Sequence, residues 1–336
     1  MKLALIGASG LVGSEYLRII AADRSGVDEL AVLASKRSAG STLRCGKQEL
    51  TVQDLAEYDF SGTDYALFCV GDELSRKYVP PALKAGVRIV DKSNAYRMQP
   101  DVPLVVGGLN DETVNSQSKL VANPNCSTIL LCHALKSLKR FGIRRIWVAT
   151  YQSTSGAGRA GIQRLQEQLR ESRLDPASGR SNGSEDNIAY NVLPGIGGYD
   201  EKLRCSEESK LLNESRKILD LPELPLIAHA VRVPVSVGHS MAVSVEFDRS
   251  ITRGAFLEAW ESDNHIMYCS EGLPGPLSAS RHVSVEAGRL RREEGLENGW
   301  SFFISGDNLS LGAALNGWRL LHLLRTQSDN LETKAG

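Results

Sequence analysis

The chain has 336 residues, 42% of them hydrophobic and 24% charged, with a formal net charge of -1. That length accommodates two domains with sizeable cores, and the near-neutral balance excludes the charge footprint of a nucleic-acid or anionic-membrane binder. No apolar run reaches the roughly 20 residues that a spanning helix needs. Six cysteines (Cys45, Cys69, Cys126, Cys132, Cys205 and Cys269) form no CxxC pair, so neither a zinc site nor a disulfide framework is expected, and the compartment is expected to be a reducing cytoplasm.

Lys2–Ile6 is a short apolar run that reads as a first strand and not as a secretion signal. Gly7-Ala8-Ser9-Gly10-Leu11-Val12-Gly13 follows, then an apolar helix to about Ala22. A strand, a glycine turn and a helix in that order form the phosphate-cradling start of a dinucleotide fold. Glu29–Ala34 is the second strand. An NAD-selective site ends this strand with an acidic residue for the ribose 2′-OH. Here Ser35-Lys36-Arg37-Ser38 stands instead, and two hydroxyls with two cations suit a 2′-phosphate. The pattern points to NADP, a solvated basic turn being the plainer alternative. Asp64–Val70 and Val87–Asp91 read as strands around a helix, Ser75–Ala85, kinked or restarted at Pro80-Pro81. This alternation predicts a doubly wound, mostly parallel sheet.

Residues 119–122 read as another short strand, and 127–138 as an apolar helix. Between them lies Asn123-Pro124-Asn125-Cys126, so Cys126 sits at or near a helix N-terminus. Unpaired N–H groups and the positive end of the helix dipole favour a thiolate there, and the same groups can hold an oxyanion. A buried structural cysteine is the plain alternative.

Beyond this helix the pattern changes. Ile143–Gln152 reads as a strand, Gly158–Arg173 as a polar-faced helix, 174–188 as a polar, mobile surface loop and Glu207–Leu219 as a helix. Leu226–Val235, Ser240–Phe247, His282–Leu290 and Trp300–Ile304 read as strands, with a helix near Arg253–Glu261. Long strands with few helices imply a mainly antiparallel sheet. The last helix, about Ser310–Arg325, is expected to return to the first domain. The fold class is therefore α/β. A Rossmann-type parallel domain spans 1–125, completed by 307–336. An α+β catalytic and dimerisation domain with a mainly antiparallel sheet spans 126–306.

Three further segments offer partners for Cys126. Gln152 ends a strand in a small-residue loop, where its amide can bond a bound intermediate. Arg232 and His239 flank a glycine turn; a guanidinium grips a carboxylate with two bonds, and an imidazole exchanges protons near neutrality. Glu207 and Lys210 share one helix face: an amine-bearing substrate wants the Glu, a phosphate the Lys. A surface ion pair is the plain reading of those two, and a structural role that of His239. His133 and His229, in apolar surroundings, read as core or capping residues.

The chain resembles the aspartate-β-semialdehyde dehydrogenase family over nearly its whole length. The resemblance rests on GASGLVG at the start, the ASKRSAG turn, DKSNAYRM at 91–98, NPNCST, TYQSTSGAG, EESK at 207–210, RVPVSVGHS and GDNLSLGAALN at 306–316. It implies that Cys126 is the nucleophile, His239 the general acid/base and Gln152 the residue that orients the thioester or hemithioacetal. It implies Arg232 for the substrate α-carboxylate and Glu207 for the α-amino group, with Arg97, Asn125 and Lys210 as candidates for the phosphate. For the cofactor, NADP, it implies Gly7, Ser9, Gly10, Leu11, Val12 and Gly13 at the pyrophosphate, and Ser35, Arg37 and Ser38 at the 2′-phosphate. It implies Gly71, Ser155, Gly156 and Asn308 as further cofactor contacts. No metal is implied.

The reaction so implied is NADPH-dependent conversion of β-aspartyl phosphate to aspartate semialdehyde through a Cys126 thioester. It serves biosynthesis of lysine, threonine, methionine and diaminopimelate, in a homodimer or dimer of dimers. The alternatives are a related reductase of acyl phosphates or thioesters, such as one for N-acetylglutamyl phosphate, and a non-catalytic paralogue. The chain departs from the family at Val106-Gly107-Gly108-Leu109-Asn110, where VPEVN is usual, and at Cys69–Ser75, where a small-residue turn is usual. Asp72 there puts a negative charge in a loop expected near the nicotinamide or its phosphates. Lys92 and Arg159 replace a usual Asn and Gln.

Overall fold

The computed structural model describes residues 1–23, 26–174, 187–280 and 282–335. Most of the 174–188 segment, expected as a surface loop, lies outside the described residues. The chain forms two compact units, Met1–Asn125 with Ala313–Gly336, and Cys126–Gly312.

In the first unit the elements run β1 (Lys2–Ile6), α1 (Leu11–Ala22), β2 (Glu29–Ala34), β3 (Thr42–Cys45), β4 (Gln48–Thr51), β5 (Gln53–Asp54), β6 (Tyr65–Phe68), α2 (Asp72–Lys84), β7 (Arg88–Asp91) and β8 (Leu120–Ala122). Six strands form one sheet in the order β5-β2-β1-β6-β7-β8, every pair parallel. Parallel strands covered on both faces need apolar side chains on both, and Leu3, Ala4, Leu5, Ile6, Ala66 and Leu67 are indeed fully buried. β3 and β4 form a separate antiparallel hairpin, which sequence reading passed over. Its turn uses Gly46 at φ +61. Leu320, Leu321 and Leu324, near the C-terminus, join the core around β1 and α1.

Two expectations change here. α2 starts at Asp72 and runs unbroken through Pro80 and Pro81. The two prolines cost backbone donors, but Val79 and Ala82 beside them are fully buried, and packing outweighs the local preference. At the C-terminus, Ser310–Ala314 form a π-helical turn before the final helix, Leu315–Ala335. Asp307–Gly312 remain with the second unit.

The second unit contains α3 (Cys126–Lys136), β9 (Ile143–Gln152), α4 (Gly158–Leu174), β10 (Leu193–Pro194), α5 (Ser206–Leu219), β11 (Leu226–Arg232), β12 (His239–Phe247), α6 (Arg253–Glu261), β13 (Ile266–Tyr268), α7 (Pro276–Ala279), β14 (Val285–Glu293) and β15 (Gly299–Gly306). The sheet order is β10-β11-β9-β12-β15-β14-β13. It is mainly antiparallel, but β9 pairs with β11 and β13 with β14 in parallel. The first of these pairings is made possible by α4 and α5, which supply the crossover a parallel pair requires. β11 ends at Arg232, short of the expected Val235. Beyond it the Val233 N–H still donates to the Gln152 carbonyl, and the Val235 carbonyl accepts the N–H of Thr154. β14 begins at Val285, later than expected, and carries a bulge between Gly288 and Arg291. Along α3, residues Ser127 to Leu135 are all buried. A helix apolar all round belongs inside a core, which holds its first residue, Cys126, in place.

Candidate active site

Three adjacent strands converge at one end of the second sheet. β9 ends at Gln152, its parallel neighbour β11 ends at Arg232 directly opposite Gln152, and β12 begins at His239. Cys126 is the first residue of α3 and is partly exposed. The positive charge of Arg232 and the Cys126 sulfur interact electrostatically. Burial lowers the Arg232 pKa from its ordinary value, while Cys126 and Glu207 act to raise it. Nη1 of Arg232 donates to the Ser153 carbonyl at 2.6 Å.

Gln152 is fully buried. Its Nε2 donates to Oγ of Ser127 and lies 3.3 Å from Oε2 of Glu207. Lys210 Nζ lies 2.7 Å from the other Glu207 oxygen. Cys126, Gln152, Arg232, Glu207, Lys210 and His239 thus form one connected cluster within this unit.

His239 is held from behind. The backbone N–H of Ser153 donates to its Nδ1 at 3.1 Å, and the Ser153 hydroxyl lies 3.0 Å from the same nitrogen. Nε2 is buried and has no hydrogen-bond partner among the described residues. Burial, then the Arg232 charge, push the His239 pKa down to about 3, so the ring is neutral near pH 7. Asn308 knits the support together: its Oδ1 accepts the N–H of Gly238 at 2.9 Å and faces the hydroxyls of Ser153 and Ser155 at 3.2 and 3.1 Å. Its Nδ2 donates to the Ser155 hydroxyl at 2.9 Å. Ser155 and Asn308, expected at the cofactor, therefore bond to one another behind His239. A Cβ on Gly156 would stand 2.8 Å from Nη1 of Arg232, so a larger residue would have to push that guanidinium aside.

In the first unit, Gly7, Ser9, Gly10, Ser35 and Lys36 line a cavity of about 470 Å³, with Leu55, Leu74 and Tyr78 among its other walls. That volume suits a small-molecule ligand. Gly7 has φ +83, and a Cβ there would sit 2.7 Å from the Cys69 carbonyl. Gly10 caps α1 without a side-chain bond, leaving the N–H groups of the first turn available to an anion. Leu11 and Val12 form that turn, and Gly13 lets the helix approach the Gly7 carbonyl. Lys36, and not Arg37 or Ser38, stands in the cavity wall. Gly71 caps α2 and is likewise absent from the wall.

Arg97, expected at the phosphate, donates from Nε to the Asn123 carbonyl at 3.0 Å and from Nη2 to the Lys92 carbonyl at 2.6 Å. Asn125 is buried at the end of the same segment. The departures from the family acquire structural reasons. Asp72 accepts the N–H of Asn94 at 2.8 Å and faces Arg76 at 4.0 Å, so its charge is answered locally at a helix N-terminus. Gly107 donates to Oδ1 of Asn316 at 2.8 Å, and a Cβ there would lie 3.0 Å from Cβ of Arg319. Sequence reading missed Ser127, Ser153 and Gly312. A Cβ on Gly312 would lie 3.0 Å from Cβ of Cys126. Adjacency to Cys126 and Gln152 was the only signal for the two serines.

Family models match both units: residues 2–117 match the semialdehyde dehydrogenase NAD binding domain, and residues 135–311 its dimerisation domain. The aspartate-semialdehyde dehydrogenase of Aquifex aeolicus is 36% identical over 331 residues, covering 96% of this chain and 97% of that one.

This chain belongs to the semialdehyde dehydrogenase family.

Among solved semialdehyde dehydrogenases, aspartate semialdehyde dehydrogenase II of Vibrio cholerae superposes with a TM-score of 0.91 at 35% identity, covering 97% of this chain and 98% of that one. A second structure of that protein is complexed with ASA. The Candida albicans aspartate semialdehyde dehydrogenase, solved with NADP, has the same fold at a TM-score of 0.73 and 23% identity, with 97% and 98% coverage. The matched dimerisation domain supports a dimeric semialdehyde dehydrogenase. Among the described residues, no helix is long and apolar enough to cross a membrane.

Proposed function

We propose that this protein is an aspartate-semialdehyde dehydrogenase. With NADPH it converts β-aspartyl phosphate to aspartate semialdehyde and inorganic phosphate, in lysine, threonine, methionine and diaminopimelate biosynthesis. The observation that carries this reading is the cluster of Cys126, Gln152, Glu207, Arg232 and His239, in which each chemical type the reaction needs is present once.

The Cys126 thiolate attacks the acyl carbon, the bond to the phosphate oxygen breaks, and a thioester remains on the enzyme. Bound NADPH supplies the hydride, a chemistry that no side chain offers. The glycine turn, the cavity and the Ser35–Lys36 wall fit such a dinucleotide with a 2′-phosphate, so the first unit is the NADP-binding domain and the second the catalytic and dimerisation domain. Nε2–H of neutral His239 donates to the oxyanion of the tetrahedral adduct on Cys126. Collapse of that adduct expels the thiolate and releases the aldehyde. Arg232 holds the substrate carboxylate. Glu207 takes the free ammonium, displacing one of its present partners, Lys210 or Gln152. Lys210 in the second unit, and Arg97 and Asn125 in the first, are each candidates for binding phosphate. The enzyme works in the cytoplasm as a homodimer or dimer of dimers.

An N-acetylated substrate such as N-acetylglutamyl phosphate has no ammonium for Glu207, which argues against that reductase. Reduction of NADP⁺ by aspartate semialdehyde, followed by the absorbance of the reduced nicotinamide with and without inorganic phosphate, tests the proposal. Turnover that requires phosphate supports it. Folded, NADP-binding protein without turnover would shift the reading to a changed substrate or a non-catalytic paralogue.

A further inference from the structure

α3 carries a second functional type two turns past Cys126. His133 lies about 10 Å further along the helix axis, and its side chain is completely buried. The Nε1 of Trp260, at the end of α6, donates to the Ala134 carbonyl at 2.9 Å. This anchor brings the loop between α6 and β13 against the middle of α3. The loop holds Asp263 and His265. The His265 ring stacks on His133 with centroids 4.6 Å apart and planes 24° from parallel. Oδ1 of Asp263 accepts the backbone N–H of His265 at 2.9 Å and lies 3.1 Å from its Nδ1.

One ligand atom from each of the three residues lies within 4.8 Å of the others. Two imidazoles and a carboxylate are the donors that favour zinc and its neighbours over magnesium or calcium. Four-coordinate zinc at about 2.0–2.1 Å from nitrogen or oxygen brings its ligands to roughly 3.4 Å from one another. Closing the set needs the Asp263 and His265 side chains to rotate, the His265 ring tilting out of its stack on His133 so that the two lone pairs converge. The Asp263 and His265 side chains are 10% and 21% exposed, which leaves an entry path and room for a water, while His133 closes the inner side.

We propose that His133, Asp263 and His265 bind a divalent transition-metal ion of zinc type, with water as the fourth ligand. None of these residues belongs to the Cys126 cluster, so the site is structural or regulatory. A bound ion clips the α6–β13 loop to the helix that begins with Cys126, and binding to the folded state alone raises the melting temperature with metal concentration.

The test is titration of chelator-treated full-length protein with Co²⁺, read by visible absorption, with Zn²⁺ competition and melting curves alongside. Wild type, Cys126→Ser, His265→Gln and Asp263→Asn are compared, the last two being partly exposed positions that spare the buried His133. The expected result is one saturable ion per chain with tetrahedral ligand-field bands and no thiolate charge-transfer band. Binding should persist in Cys126→Ser and weaken about tenfold or more in His265→Gln and Asp263→Asn. Binding unchanged in both loop variants overturns the proposal. So does a thiolate band that disappears in Cys126→Ser, or the absence of saturable binding to the wild type.

Discussion

The backbone N–H of Ser153 donates to Nδ1 of His239 at 3.1 Å. A backbone amide can only donate, so Nδ1 must accept, and neutral His239 carries its proton on Nε2. That nitrogen is the buried one that has no hydrogen-bond partner among the described residues. In the proposed reaction His239 would therefore act as a donor to the oxyanion before it moves a proton.

The pKa of His239, pushed to about 3 by burial and then by Arg232, bears on both rate and stability. The kcat/KM profile should show no acid limb near 6.5 from this residue, and a limb that vanishes in His239→Asn would contradict the structure. In the unfolded chain the imidazole takes its proton near pH 6.5. Between about pH 3 and 6.5 the unfolded state therefore binds the extra proton, and stability rises with pH across that window and is lost as pH falls through it. His239→Asn should flatten this dependence, as measured by urea denaturation at pH 4.5, 5.5 and 7 (about the middle of the window, its upper part and just above it).

Asn308→Ala removes the acceptor of the Gly238 N–H and the partner of two buried serines. Each buried group left unsatisfied costs about 1–3 kcal/mol. The denaturation midpoint should fall, and kcat should fall more than KM rises, because the Ser153–His239 geometry loosens. Rescue of kcat by Asn308→Asp, which keeps the acceptor, would separate positioning from a general loss of stability. An unaltered kcat in Asn308→Ala would remove this residue from the support of His239.

Glu207→Gln keeps the shape of the side chain and removes its charge. With the proposed substrate, KM for aspartate semialdehyde should rise about ten- to a hundredfold, the loss expected from a partly buried charge pair. KM for NADP⁺ should stay as it is, since the Glu207 carboxylate faces Gln152 and Lys210 within the second unit. Steady-state kinetics varying each substrate in turn decides the matter.

Cys126→Ser should abolish turnover by about 10³-fold or more while leaving NADP affinity intact, as befits loss of a covalent nucleophile. Fluorescence titration with NADPH measures the second half of that statement. Substantial residual turnover would rule out a thioester on this residue.

Local pattern alone determined much of this protein. The apolar runs at Lys2–Ile6 and Glu29–Ala34 and the glycine turn between them marked out a parallel, nucleotide-binding half, because strand and helix periodicity are properties of a few adjacent residues. The same logic placed Cys126 at the start of a buried helix. Tertiary structure decided what surrounds it. Whether Arg232 stands opposite Gln152 depends on the register of β11 on β9, and no local preference encodes a pairing between residues so far apart in the chain. Asn308 reaches Ser153 and Gly238 from yet another segment. The prolines of α2 stay helical, and His133 meets His265, for the same reason: packing between distant elements contributes more free energy than the propensity of any single residue.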